Sequence, residues 1–132
     1  MSFHMQINVK VNPTEDLERV KDSVQKLFSL LNMRIIESSE NVKTLIFEAD
    51  NMNSLSKFKN ILKQERIRSA VRRVLNQSVK GRKINFYLNK QVASAGHVSL
   101  CELITESPLG PIEVEIETDN PYELIEWLTP TE

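Results

Sequence analysis

The residues of this chain best suited to chemistry are the arginines and lysines between residues 57 and 90. This stretch holds eleven Lys and Arg side chains and one acid, Glu65. Guanidinium groups bind phosphate oxygens in a bidentate manner, and ammonium groups add positive charge. The predicted phosphate-binding surface contains eight of these side chains: Lys63, Arg66, Arg68, Arg72, Arg73, Lys80, Arg82 and Lys83. A cluster of this kind indicates a nucleic acid as partner.

The arginines of this stretch follow helical spacing. Four apolar residues share one face of a helix over residues 66–75: Ile67, Ala70, Val71 and Val74. On the helical wheel, Arg68 and Arg72 lie on one flank of that face, and Arg66 and Arg73 lie on the other. Arginine stems pack along apolar surface while their guanidinium groups stay available. The pattern fits a surface that follows the backbone of an RNA, and it also fits a solvated flank whose charges pair with the acidic C-terminal third of the chain.

The tripeptide Asn89-Lys90-Gln91 is a second candidate contact. If Asn89 caps a short helix, Lys90 lies in its first turn, where the helix dipole disfavours a cation by about 0.3 to 1 kcal/mol. A bound phosphate would reverse that penalty, so we predict that Lys90 contacts phosphate and that Asn89 and Gln91 offer amides to phosphate, sugar or base. The alternative is a capped turn with a solvated lysine. Tyr87 is the one aromatic residue suited to base stacking, so backbone recognition is favoured.

A second charge cluster opposes this prediction. From Cys101 to the end the chain has nine acids and no Lys or Arg, and the formal charge of the whole chain is −1. Glu113, Glu115 and Glu117 share one face of a predicted strand, spaced about 6.6 to 7 Å apart. RNA binding requires the two clusters to lie on different surfaces. Otherwise the acids neutralise the bases, within the chain or across a homodimer or another protein partner.

Catalysis has little support in the sequence. His97 and Cys101 are four residues apart, but a Cys-His dyad also needs an orienting partner and oxyanion donors. The three glycines are isolated and form no phosphate-binding loop. The alternating glutamates fit an outward polar strand face better than a metal site. We therefore predict a protein that is not an enzyme and that holds no metal and no cofactor.

The elements that position these residues begin with a strand. Met5, Ile7, Val9 and Val11 alternate with polar residues, which is typical of a strand with one buried face. Asn12 is a predicted helix cap, Pro13 suits the first helical position, and Glu15 completes a capping box. Apolar residues at helical spacing continue to Leu31 and predict about five turns. Residues 33–37 and 44–49 predict a hairpin.

The remaining segments complete an α+β pattern. Apolar spacing from Leu55 slips in phase at residues 64–66, which predicts two helices or one bent helix, ending at Gly81 as a cap. Residues 84–88 predict a strand, and residues 98–105 and 112–117 predict a second hairpin. A final helix starts at Asn120 and Pro121 and packs its tryptophan on the body of the protein. We predict one domain over residues 1–132, with a largely antiparallel sheet and helices mainly on one face.

Cysteine content and hydropathy indicate the cellular setting. The single cysteine allows no internal disulfide, which favours a reduced, intracellular location. The N-terminal residues lack the apolar core of a signal peptide, and no uncharged apolar run reaches the length of about 18 residues that a membrane span needs. These features predict a cytoplasmic protein with no membrane contact.

Four short motifs carry a family resemblance. They are Pro13-Thr14-Glu15-Asp16, Leu88-Asn89-Lys90-Gln91, Leu109-Gly110-Pro111-Ile112 and Trp127-Leu128-Thr129-Pro130-Thr131. Together they run almost end to end, and the chain resembles the archaeal uncharacterised protein family 0201, whose members are described as predicted RNA-binding proteins. The resemblance implies a fold similar to the fifth ribosomal protein of the large subunit. It also implies RNA, ribosomal or otherwise structured, as a partner, and it brings no established reaction.

Overall fold

Six strands and five helices make up the part of the chain that the computed structural model describes, residues 2–38, 41–101 and 110–131. In chain order they are β1 (Phe3–Val11), α1 (Leu17–Leu27), β2 (Asn32–Glu37), β3 (Lys43–Ala49), α2 (Ser56–Gln64), α3 (Arg68–Ser78), β4 (Lys83–Leu88), α4 (Lys90–Ser94), β5 (Leu100–Cys101), β6 (Ile112–Thr118) and α5 (Pro121–Leu128). A short 3-10 turn, Met52–Leu55, leads into α2. Within those ranges, no helix has the length and hydropathy to cross a membrane.

The strands form one antiparallel sheet in the order β2-β3-β1-β6-β4-β5. Strand β1 lies near its centre, with Ile7 opposite both Phe47 of β3 and Val114 of β6. Alternate residues of β1, from Phe3 to Val11, are buried in the same core as the helices. The other sheet face is open and polar. The predicted α+β fold, an antiparallel sheet with helices on one face, is confirmed.

Three stacked phenylalanines join the helices to the sheet. The ring centroid of Phe28, which follows α1, lies 5.2 Å from that of Phe58 in α2, and Phe58 lies 5.8 Å from Phe86 in β4. All three side chains are buried. Aromatic pairs at this spacing contribute about 0.5 to 1.5 kcal/mol beyond the burial of their area. The stack therefore fixes where α2 lies over the sheet.

The first helix is shorter than the sequence suggests, and its predicted start is wrong. Helix α1 begins at Leu17, because the Asp16 carboxylate accepts a hydrogen bond from the backbone N–H of Glu18. Asn12 and Glu15 do bond each other, but they form a turn: the Glu15 carboxylate accepts from the Asn12 backbone N–H at 3.0 Å. Asp16, which lies nearer the apolar residues of the helix than Asn12 does, is therefore the cap. The helix has eleven residues, about three turns.

The phase slip at residues 64–66 is a break between two helices. Arg66 adopts a φ of +59°, in the left-handed region, and this turns the chain between α2 and α3. The predicted cap at Gly81 is wrong, since α3 ends at Ser78. Gly81 instead has a φ of +61° in the tight turn where Lys80 and Lys83 exchange backbone hydrogen bonds of 2.9 and 3.0 Å. Gly81 therefore belongs to the turn that leads into β4.

Strand pairing confirms the first predicted hairpin and corrects the second. Strands β2 and β3 pair with Met33 opposite Phe47. Strand β6, however, pairs with β1 and β4, while β5 pairs with the far side of β4. The predicted pairing of residues 98–105 with 112–117 is therefore wrong for the described part, and residues 102–109 lie outside it. Alternation identifies the buried face of a strand, but it does not identify the neighbouring strand.

The final helix starts where the sequence predicts. The Asn120 side chain accepts from the backbone N–H of Glu123, and Pro121 occupies the first turn. Trp127 is half-buried against the core, and the Lys59 ammonium lies 4.5 Å from the centre of its ring. A cation over an indole face at this distance is attracted by the ring electrons. This contact joins α2 to α5.

A buried ion pair fastens helix α4 to the turn before α1. The Lys90 ammonium lies 3.0 Å from Oε1 of Glu15 and donates to the carbonyl of Lys10 at 2.8 Å. The two side chains are only 5% and 11% exposed. Burial acts to raise the pKa of Glu15, but the hydrogen bonds from Asn12 and Lys90 outweigh it and lower that pKa below its ordinary value of 4.5. The carboxylate is therefore charged at neutral pH.

We expect loss of either partner to destabilise the fold unequally. Glu15→Gln leaves a buried ammonium without its anion and should cost about 3 kcal/mol of unfolding free energy. Lys90→Met should cost less, because Glu15 keeps its bonds to Asn12. Urea unfolding of both single variants and the double variant measures the coupling, and additive losses would contradict a direct pair.

The same pair predicts a pH dependence. Because the folded-state pKa of Glu15 is lowered, its contribution to stability is complete above the unfolded pKa and is lost as pH falls through the folded value. The stability difference between wild type and Glu15→Gln should therefore shrink as pH drops from 7 to below 4. A constant difference across that range would show that ionisation of Glu15 is not the source.

Candidate nucleic-acid interface

Four of the predicted phosphate-binding side chains are exposed and have no partner in the part of the chain that the structure describes. Lys63 lies in the last turn of α2, Arg66 at the break between the helices, Arg73 on α3, and Lys80 just beyond the end of α3. Among the residues that the structure describes, none of the four forms an ion pair or a side-chain hydrogen bond. We call these four residues the cationic strip. Lys63, Arg66 and Arg73 lie on the helical side of the protein, whereas Lys80 lines a cavity beside the open sheet face with Lys83, Tyr87 and Glu115.

The other flank of α3 is turned toward α5. The Arg72 guanidinium is half-buried and donates from Nε to the carbonyl of Thr129 at 2.9 Å. Arg68, one turn earlier, is also half-buried. The sequence therefore separated Arg68 and Arg72 from Arg73 correctly, although Arg66 precedes the helix and lies on neither flank. The structure also gives Arg72 a contact that holds the C-terminal residues. A guanidinium bound to a backbone carbonyl has fewer donors left for phosphate.

The apolar face of α3 is less buried than the helical wheel suggests. Val71 and Leu75 are buried, whereas Ala70 is exposed and Val74 is half-buried. These partly open residues, with Val98 and Leu100, line a groove of about 250 Å³ whose edge includes Arg73. The sequence analysis missed this groove, because equal apolar spacing does not distinguish core contacts from groove contacts.

Two predicted contacts at the start of β4 are neutralised within the chain. Arg82 lies 2.9 Å from the carboxylate of Asp119, and Lys83 lies 3.2 Å from that of Glu115. All four side chains are about half exposed, so each pair contributes little to stability. Hydrogen bonds from Ser2, followed by the charge of Arg82, lower the pKa of Asp119. RNA binding requires the basic and acidic clusters to lie on different surfaces, and at the start of β4 they do not.

The Asn89 corner is built as predicted, but its lysine points inward. Asn89 caps α4 by accepting from the backbone N–H of Val92 at 3.0 Å. Lys90 occupies the first turn, and the carboxylate of Glu15 supplies the negative charge that the sequence analysis expected from a phosphate. Gln91 alone of the three residues is exposed. Its contact with RNA stays a prediction, while Lys90 is committed to the interior.

The open face of the sheet carries the acids. The amide of Asn8 donates to Glu113 at 3.3 Å, and Glu115 and Glu117 follow along β6. Tyr87 lies beside Glu113, and burial, followed by the negative charge of that carboxylate and a hydrogen bond to it, raises the pKa of its phenol. The phenol is thus engaged with Glu113 across the strands. A face with this charge repels phosphates.

The two residues considered for catalysis lie in different environments. The His97 ring bonds Glu65 at 2.9 Å, while Cys101 is buried on β5. Within the described ranges, no group of three or more His, Cys, Asp or Glu side chains is arranged to hold a metal ion.

Comparison with known proteins gives the family. A family model described as RNA binding matches residues 4–118. A UPF0201 protein of Sulfurisphaera tokodaii is 43% identical over 124 residues, covering 94% of this chain and 85% of that protein. The one from Sulfolobus acidocaldarius is 38% identical with the same coverage.

A solved structure shares the fold. The crystal structure of the UPF0201 protein from Methanococcus jannaschii superposes with a TM-score of 0.87 at 28% identity, covering 96% of this chain and 99% of that one. The match to the family model, the identity to both relatives and this superposition all extend over most of the chain. The chain therefore belongs to the UPF0201 family, and the resemblance carried by its Pro13, Leu88, Leu109 and Trp127 motifs is confirmed.

Proposed function

We propose that this chain binds RNA without catalysis, by neutralising backbone phosphates with the cationic strip. The match to a family model described as RNA binding supports the class of partner. The observation that carries the site is the exposure of Lys63, Arg66, Arg73 and Lys80 with no internal partner in the described structure. The cytoplasm, expected from the sequence, would be the setting.

The strip is a narrower surface than the eleven residues the sequence predicts. Arg82 and Lys83 are neutralised by the acidic third of the chain, and Lys90 is buried. Asn89 and Gln91 carry no charge, and Arg68 is half-buried with an interaction of its own, so none of the three adds a free charge to the strip. Arg82 and Lys83 already have partners within the chain. The alternative function, in which these basic residues pair with acids of a neighbouring protein, therefore also lacks free charge at these two positions.

Salt dependence measures how many phosphates are engaged. Four neutralised phosphates give a slope of about −3 in a plot of log affinity against log salt. The affinity should therefore fall about 60-fold between 50 and 200 mM salt. A slope near zero would contradict backbone binding.

We expect the removal of unpaired cations and the removal of paired cations to have different effects on the salt dependence of RNA binding. Arg66→Gln with Arg73→Gln should make the slope about 2 units less negative. Arg82→Gln with Lys83→Gln removes the same charge from the chain but should change the slope much less, because those cations are already neutralised. Fluorescence anisotropy with a structured RNA at four salt concentrations measures both. Equal effects would show that net charge, not the strip, controls binding.

Arg66 allows binding to be tested apart from folding. Its φ of +59° costs a non-glycine residue about 1 kcal/mol, and glycine adopts this conformation freely. Arg66→Gly should leave the unfolding free energy within about 1 kcal/mol of wild type, because relief of strain offsets the greater freedom of the unfolded chain.

RNA affinity of Arg66→Gly should nonetheless fall, and the salt slope should become about 1 unit less negative. Arg66→Lys, which keeps the charge, should retain most of the affinity. Unchanged affinity in the glycine variant would exclude Arg66 from the site.

A further inference from the structure

A cavity of about 450 Å³ lies beside the open sheet face, where the end of α3 meets the start of β4. Its walls combine an aromatic ring, an amide, a hydroxyl, two ammonium groups and a carboxylate, from Tyr87, Asn85, Ser78, Lys80, Lys83 and Glu115. A cavity of this volume holds a small organic group. An aromatic surface beside hydrogen-bonding groups fits a flat ring with polar edges, which is the chemistry of a nucleobase.

Tyr87 supplies a flat surface for stacking. Its phenol donates a hydrogen bond to the Glu113 carboxylate on β6, which anchors the far end of the side chain. An anchored ring loses less freedom when a base stacks on it. Asn85 is the neighbouring residue on the same strand face, about 7 Å away along β4. Both residues line the cavity, so a base at van der Waals distance from the ring, about 3.5 to 4 Å, lies beside Asn85.

Two hydrogen-bonding groups of the cavity wall are available to a ligand. The Asn85 side chain is half-buried, and among the residues that the structure describes its amide has no hydrogen-bond partner. Polar groups removed from solvent usually have such a partner. Glu115 lies directly opposite Asn85 on β6, 3.2 Å from the Lys83 ammonium. An ionised carboxylate has about four acceptor positions, so this ion pair leaves Glu115 able to accept from a ligand as well.

We propose that this cavity binds one unpaired base of the RNA, and that this base is guanine. The inference rests on the proposed function and adds a base contact to the phosphate contacts of the cationic strip. Guanine has two adjacent N–H groups on its Watson–Crick edge, at N1 and N2, which match the two oxygens of the Glu115 carboxylate. Its O6 accepts from the Asn85 amide. Adenine, cytosine and uracil lack two adjacent donor positions on that edge, so each makes fewer bonds to Glu115.

The charges around the cavity favour a base there and a phosphate beside it. A base carries no charge, so Glu113 and Glu115 do not repel it as they repel phosphates. Lys80 lines the cavity and also belongs to the cationic strip, so it can bind the phosphate of the nucleotide whose base enters. The RNA backbone then stays at the strip while a single base reaches the open sheet face.

Four hairpin RNAs that differ in a single unpaired loop base test the preference. The full chain should bind the guanine RNA about tenfold more tightly than the other three, because a bidentate contact discriminates among bases by about that factor. The salt slope should be about −3 for all four, since their phosphates are the same. Fluorescence anisotropy measures both quantities.

Failure of the cavity and failure of the strip give different results in this experiment. Equal affinities at a slope of about −3 would overturn the guanine site and leave the strip intact. A slope near zero with a preserved guanine preference would support the site and contradict the strip. Absence of binding to all four RNAs would overturn both.

Glu115→Gln separates base recognition from charge. This variant frees Lys83, so the salt slope should become about 1 unit more negative for every RNA, while the guanine preference should largely disappear. Glu117→Gln removes the same charge from the next outward position of β6, and Glu117 is not among the residues described as lining the cavity. It should keep the full preference. Loss of the preference in both variants, or in neither, would overturn the assignment of Glu115.

Tyr87→Leu removes the stacking surface. It should weaken binding of the guanine RNA about tenfold at an unchanged salt slope, because stacking contributes to affinity without neutralising a phosphate. Tyr87→Phe keeps the ring and should retain most of the affinity. Affinity unchanged in Tyr87→Leu would show that no base stacks on this ring.

Photocrosslinking of the wild-type chain locates the base without any substitution in the protein. The hairpin RNA carries 6-thioguanosine at its unpaired position and is irradiated in complex with the protein. Trypsin cleaves after Lys83 and Lys90, so the crosslink should be found by mass spectrometry on peptide 84–90, which contains Asn85 and Tyr87. Crosslinks confined to other peptides would overturn the proposal.

Discussion

The covering of only one face of the sheet determines where charge can accumulate in this protein. Every second residue of β1 and β6 is buried, so the helices must pack on that side. The residues between them, including Glu113, Glu115 and Glu117, must then point away from the helices. The alternation that builds the core thus also places the acids on the face opposite the arginines of α3.

This separation preserves the positive electrostatic potential of the cationic strip. Packed layers are about 10 Å apart, and the outer surfaces of helix and sheet lie farther from each other than that. The Debye length at physiological ionic strength is about 8 Å, so carboxylates on the open face are largely screened from Lys63, Arg66 and Arg73. Lys80 is the exception, because it lines a cavity together with Glu115. Lys83 shows the converse, because it lies on the open face itself and meets Glu115 at 3.2 Å. Position relative to the sheet, not position in sequence, decides which cations are free.

Local patterns in the sequence predicted much of this fold, and nonlocal contacts explain what they missed. The strand before Asn12, the first hairpin and the helix after Asn120 all follow from periodicity and capping over a few residues. The pairing of β6 with β1 depends on residues more than a hundred positions away, as in the bond from Asn8 to Glu113. Alternation within β6 has the same form whichever strand lies beside it.

The same distinction between local patterns and nonlocal contacts applies to the candidate site. The exposure of Arg73 followed from helical spacing within α3, which is local information, whereas Arg66 lies at the left-handed break before that helix. The burial of Lys90 did not, because its partner Glu15 precedes it by 75 residues. A lysine in the first turn of a helix indicates an anion nearby, and the sequence gives no means of deciding whether that anion is a ligand or part of the chain.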